Sequence, residues 1–245
     1  FSAASERMGV LESFETGEYR LSTDVGKMGS WSYASISYDI LGALIELKSG
    51  SRFSAFIMEH VFKRLGMTQS YFDVSEIPAG KLCHPTVYDH GEVLKLEGVP
   101  NAVRHRPSTV LFSTAKDLSK WGKYIASRGA VGSELKSTKG VFDLMWSMRV
   151  PTGLSYCPYY GLGWFIGDWF GNLTIGHGGR ESGFNTLLLA YPDSRVSLTI
   201  LMNTHNAPVI RLAFEISRLL IRSGVLAAKR PSEREQMLFP ETPLA

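Results

Sequence analysis

A chain of 245 residues with 44% hydrophobic and 11% aromatic content can bury a sizeable core, which excludes disordered, collagen-like and disulfide-scaffold classes. Its 26 basic and 23 acidic residues leave a net charge of +3, spread along the chain without a basic stripe or an RNP-type motif, so nucleic acid is not an expected partner. No apolar run approaches the roughly 18 residues that span a bilayer, so no membrane partner is expected and a soluble chain is, with the cytoplasm favoured and the oligomeric state open.

The opening Phe1-Ser2-Ala3-Ala4-Ser5-Glu6-Arg7 has neither an initiator methionine nor the basic-then-apolar profile of a secretory signal. It reads as the start of a chain whose upstream portion was removed or not included. From Ser35, apolar residues at Ile36, Ile40, Leu41, Leu44, Ile45 and Leu47 recur at helical spacing, and Ser49-Gly50-Ser51 ends the run at a glycine suited to a left-handed cap. Phe53, Phe56, Ile57, Val61 and Phe62 predict a second short helix, closed by Leu65-Gly66-Met67 and packed on the first. Residues 68 to 110 are rich in turn formers and predict an irregular region with short β pieces at Thr86 to Tyr88 and Val93 to Leu96. Thr114 with Asp117 resembles a capping box, and Leu118, Trp121, Tyr124 and Ile125 continue a helix to about Ser127. On it, Lys116, Asp117, Lys120 and Lys123 read as a solvated face. Val141, Leu144, Met145 and Met148 mark another helix, ending before Pro151.

The last third changes period. Tyr160 to Trp169, Leu173 to His177, Phe184 to Tyr191 and Val196 to Met202 read as successive strands with a turn at Pro192-Asp193-Ser194-Arg195, which predicts an antiparallel meander. A helix from about Pro208 to Ser223 would cover one face of it, and the polar tail 229–245 would be extended. The expected fold class is α+β, an antiparallel sheet with helices packed on it plus a mainly helical lobe. One domain is expected, with the helical lobe over 29–150 and the strands and covering helix over 160–223.

Several short motifs stand in a telling order. Tyr33-Ala34-Ser35 is followed by Tyr38-Asp39-Ile40-Leu41-Gly42, Ser49-Gly50 and Leu65-Gly66-Met67, then by Ser113-Thr114-Ala115-Lys116-Asp117-Leu118, Tyr160-Gly161-Leu162-Gly163-Trp164 and Gly176-His177-Gly178-Gly179. In this order they resemble the serine β-lactamase-related family, which includes class C β-lactamases, DD-peptidases and related esterases and transesterases; the match covers roughly residues 29 to 204. The resemblance implies a β-lactamase/transpeptidase-like fold, N-terminally incomplete, and acyl transfer through a serine ester on a small-molecule substrate.

In that family a serine and a lysine share one helix in S-x-x-K spacing, one turn apart, so the amine reaches the hydroxyl. Tyr33 corresponds to the phenol beside them, able to take the serine proton if neighbouring cations lower a pKa of about 10. His177 stands where lactamases carry the lysine of K-T-G, in position to hold the tyrosine proton or a substrate carboxylate. Ser35 occupies the family's asparagine position, and a hydroxyl cannot match a carboxamide's paired donor and acceptor. Gly178 and Gly179 keep the strand edge open to an acyl group, and the Arg180 backbone N–H matches the strand's contribution to an oxyanion hole. These changes lean toward ester, thioester or small acyl substrates, within small-molecule biosynthesis.

The nucleophile does not appear at the family position. S-x-x-K spacing occurs only at Ser113 to Lys116, which aligns with a structural helix of the family, and at Ser133 to Lys136, in a Gly- and Ser-rich stretch. Without their neighbours Tyr33 would be a half-buried packing residue and His177 an ordinary hydrogen-bonded one, while Trp31, Trp164 and Trp169 line either a cleft or the core. Cys83, Cys157, His84, His90 and His105 lack metal-ligand spacing, so neither a metal nor a cofactor is expected. Three readings stay open: a serine hydrolase or acyltransferase whose S-x-x-K helix lies upstream, an inactive or truncated relative, and a cyclase or isomerase using Tyr33 and His177 without a covalent step. A chain lacking N-terminal strands is also expected to expose an unpaired strand edge and an apolar helix seat, with poor solubility.

Overall fold

The structure, a computed structural model, describes residues 9–17, 30–99, 101–130, 140–148 and 150–227. Ser133 and Lys136 and the predicted tail lie outside these. The helical part comes first: α1 (Val10–Glu15), α2 (Ser35–Ser49), α3 (Phe53–Ile57) and α4 (Lys63–Leu65), the last two joined by the π-helical turn Met58–Phe62. α2 and α4 stop where the sequence predicts, at Gly50 and Gly66, whose φ of 68° and 67° suit a residue without a Cβ. α2 and α3 pack together, and a Cβ on Gly42 would overlap the Pro107 ring, so glycine lets α2 sit down on that loop.

Glu46 ties this lobe together. One carboxylate oxygen accepts the Leu11 N–H at 2.7 Å and the other the Phe53 N–H at 2.7 Å, so one side chain satisfies orphan donors at the start of α1 and α3. The strands β1 (Thr86–Asp89) and β2 (Glu92–Lys95) form a separate hairpin, followed by α5 (Ala115–Ala126) and α6 (Val141–Met145). The helix predicted to run toward Pro151 ends at Met145 instead. Val150–Pro151 is the edge strand β3, because the residue before a proline is driven into the extended region.

The predicted meander is present and longer than expected. β3, β4 (Tyr159–Tyr160), β5 (Phe165–Trp169), β6 (Asn172–Glu181), β7 (Phe184–Tyr191) and β8 (Val196–Met202) lie in chain order, each antiparallel to the next. The single strand expected over Tyr160 to Trp169 is divided into β4 and β5 by a turn containing Gly163, at φ 82°. β7 explains why helices cover both faces: Leu187, Leu189 and Tyr191 pack with Val209, Ala213 and Phe214 of α7 (Val209–Arg222), whereas Leu188 and Ala190 face the cluster of Tyr124, Ile125 and Ala126 on α5. Gly122 permits that approach, since a Cβ there would stand 2.7 Å from Ser197 Oγ. Among the described residues no helix is long and apolar enough to cross a membrane.

One expectation is overturned at α5. Asp117 is buried rather than part of a solvated face, and its carboxylate accepts from Gln69 N at 2.6 Å, Ser70 Oγ at 3.1 Å and Lys120 Nζ at 2.9 Å. Lys120 also donates to the Gly66 carbonyl, so the clip joins α5 to the end of α4. The capping pattern was legible in one dimension, but the partners at 69 and 70 are set by the fold. Ser113 meets Ser70 Oγ at 2.8 Å within the same network, so its hydroxyl anchors the start of α5.

Two measurements check this description. Asp117→Ala strands three donors and is expected to cost about 3 kcal/mol, read as a lower denaturant midpoint. Ile40, Leu41, Leu44 and Leu47 form an apolar stripe on α2, between 43% and 62% exposed, and the 245-residue chain is expected to self-associate in size-exclusion chromatography. Leu44→Lys combined with Leu47→Glu should reduce that association without lowering the melting temperature.

Candidate functional site

The pairing of β6 decides where a site can form. β5 follows β6 only to the pair Phe165 and Gly176, whereas β7 follows it to Phe184 and Glu181, so residues 177–181 have a strand partner on one side only among the described residues. His177, Gly178, Gly179 and Arg180 therefore lie along a strand end, with His177 half-buried and the other three exposed. A Cβ on Gly178 would come no nearer than 3.5 Å to another residue, but one on Gly179 would lie 2.7 Å from Thr186 Oγ1. The first glycine leaves surface open and the second accommodates a neighbour.

Tyr33 arrives from the other part of the fold. It lies in the extended segment just before α2, half exposed, and its ring centroid is 6.0 Å from that of His177. Ser35 opens α2 and its hydroxyl hydrogen-bonds the Tyr33 phenol. Trp31, two residues before Tyr33, stands near Tyr33, Tyr160 and Phe165, with centroids 6.5, 6.3 and 6.1 Å apart. Trp164 and Trp169 are core residues instead.

Burial sets the electrostatics. Desolvation, then the nearby Tyr38, raises the Tyr33 pKa, and the Ser35 hydrogen bond lowers it less. Among the described residues no cation figures in that balance, contrary to the condition under which a phenol would become a base. Desolvation lowers the His177 pKa, partly opposed by the Gly178 carbonyl, which lies 2.6 Å from Nδ1. A carbonyl only accepts, so Nδ1 carries the proton and Nε2 faces the Tyr160 hydroxyl at 3.3 Å. Burial also drives Tyr160 well above the ordinary phenol range and pushes the Cys157 thiol up to about 12.

The structure thus gathers Tyr33, Ser35 and His177 at one end of β6, with Gly178, Gly179 and Arg180 continuing along it. Sequence reading missed Tyr38 and Tyr160 as members of this group; both lie inside quoted motifs, but neither motif says which side chain meets the histidine. The described residues contain no cluster of histidine, cysteine and carboxylate groups able to hold a metal ion.

Known proteins extend this description. A penicillin-binding protein homologue from Pyrococcus abyssi, described as octameric, superposes with a TM-score of 0.71 at 22% identity, covering 88% of this chain and 47% of that one. The penicillin binding protein of Bacillus halodurans gives 0.68 at 19%, over 87% of this chain and 63% of that one. D-amino acid amidase from Ochrobactrum anthropi SV3 gives 0.68 at 13%, over 89% and 68%. At such identities the likeness is one of fold, and the chain spans about half to two thirds the length of these proteins. Among curated proteins there is no match. The family model described as Beta-lactamase matches residues 25–217, most of the chain and every motif from Tyr33 to His177, and the chain belongs to that family.

Proposed function

We propose that this chain supplies the tyrosine and histidine walls of a serine acyl-transfer site, working as a hydrolase or acyltransferase on ester, thioester or amide acyl groups of small molecules. The observation that carries the reading is the 6.0 Å approach of the Tyr33 and His177 rings beside the end of β6 that, among the described residues, pairs with β7 alone. In it Tyr33 relays a proton between the nucleophile and the leaving group, His177 orients that proton or a substrate carboxylate, and Ser35 steadies the phenol. The β6 backbone after Gly178 and Gly179 receives the developing oxyanion, with the Arg180 N–H as donor. A serine nucleophile with its lysine would come from sequence outside the described residues.

The second reading, an acid–base enzyme with no covalent step, is favoured by one observation: Tyr33 keeps its proton, the form from which a general acid starts. Labelling separates the two. With the native upstream sequence attached, a fluorophosphonate is expected to modify one serine, and Tyr33→Phe is expected to slow turnover of an activated ester by about 100-fold or more. Undiminished turnover in Tyr33→Phe would remove the phenol from the mechanism, and turnover that needs Tyr33 while no serine is labelled would favour the second reading.

A pH effect also follows from His177. Its folded-state pKa lies below the ordinary 6.5, so between the two values the unfolded chain binds more protons than the folded one. This group's contribution is intact above about 6.5 and is lost as pH falls through the window beneath it. Thermal melts of the native chain and of His177→Gln should diverge on acidification, with the variant losing less stability.

A further inference from the structure

Two tyrosines stand in succession at His177: Tyr160 at its Nε2 and Tyr38 beside Tyr160. Because Nδ1 donates to the Gly178 carbonyl, Nε2 has a lone pair to offer, and the Tyr160 hydroxyl 3.3 Å away acts as its donor. The Tyr160 ring is itself fixed, edge-on to Phe165 with centroids 4.7 Å apart. Tyr38, half-buried on α2, stands beside Tyr160, close enough for its phenol to help raise the Tyr160 pKa. Its hydroxyl rests against Gly163, where a Cβ would lie 2.6 Å from the oxygen and where φ is 82°. Glycine alone meets both demands comfortably.

We propose that Tyr160, steadied by Tyr38, is a positioning residue that holds the His177 imidazole in one orientation and one tautomer beside Tyr33. Without it the polar contact left to the ring among the described residues is with its own neighbour Gly178, which moves with it. The hydroxyl from β4 is the tie to a separate element, and Tyr38 links that tie to the helix that Tyr33 precedes. This rests on reading His177 as a site residue, but the test observes the imidazole itself. The groups facing it are Tyr33 from the segment before α2, Tyr160 on β4 with Tyr38 behind, Phe165 on β5 and Leu188 on β7, with Arg180 and Glu181 further along β6.

The experiment is a ¹⁵N NMR titration of the imidazole nitrogens in the full chain, with the His177 signals assigned by their loss in His177→Gln. Tyr160→Phe is expected to shift the His177 titration midpoint and to mix its tautomers. Tyr38→Phe should shift the midpoint the same way and by less, and the double variant should match Tyr160→Phe alone, since Tyr38 acts only through Tyr160. A role in packing alone would change melting temperature and leave the midpoint where it was. An unmoved midpoint in Tyr160→Phe, or shifts that add, would overturn the proposal. If Tyr160→Phe does not fold, Tyr38→Phe decides, because its removed hydroxyl neighbours Tyr160 rather than His177. Coupled shifts in a chain that stays inert toward acyl groups even with its native upstream sequence attached would retire the acyl-transfer reading and leave this one standing.

Discussion

Strand β6 keeps both neighbours only as far as Gly176; from His177 to Glu181 it retains β7 and loses β5, and this mismatch in strand length governs the site. A sheet buried on both faces by α5 and α7 has little surface to offer a ligand, so backbone becomes available where a strand outruns its partner. The turn that separates β4 from β5 sits beside that free end. Tyr160, just before that turn, reaches His177 at 3.3 Å, while Gly178 and Gly179 stay exposed.

The opposite wall depends on polar clips rather than on the sheet. α2, which follows Tyr33, is held by Glu46 capping two neighbouring helices, by the close seat of Gly42 on Pro107, and by the buried Asp39, whose carboxylate meets His105 Nδ1 at 3.0 Å. A second clip, Asp117 with Gln69, Ser70 and Lys120, joins α4 to α5, and α5 packs on β7 and β8. Buried hydrogen-bonded carboxylates are costly to leave unpaired, so such joints specify one arrangement more sharply than apolar contacts would. The separation of Tyr33 from His177 is therefore transmitted through side chains on neither ring.

Much of this was legible in one dimension because the signals were local. Helical spacing with glycine stops located α2 and the helix after it, and alternation with turn residues located β7 and β8, since each depends only on residues a few positions apart. What stayed hidden was non-local. Asp117 looked like surface because three lysines surround it in sequence, and only the fold brings Gln69 and Ser70 to it. The division of Tyr160 to Trp169 into two strands, and the extension of β6 past His177, are set by pairing partners that periodicity does not name. Tyr33 and His177 were picked out by the order of motifs, whereas Tyr38 and Tyr160 required coordinates.

The electrostatics of Tyr33 constrain any chemistry assigned to this fold. Burial and a neighbouring phenol both favour its neutral form, and among the described residues the single opposing influence, a serine hydroxyl, is weaker than either. A phenol in that state holds its proton: it can donate a hydrogen bond, but it is a weaker acid than a free phenol. Turning it into a base requires a nearby positive charge; His177 cannot supply it near neutrality, because its own burial disfavours the imidazolium. Use of Tyr33 as a base at this site therefore calls for a cation brought against it by residues beyond those described, and use of it as an acid calls for a strongly basic acceptor. The charge that accompanies the nucleophile, rather than the nucleophile alone, is what distinguishes the two chemistries.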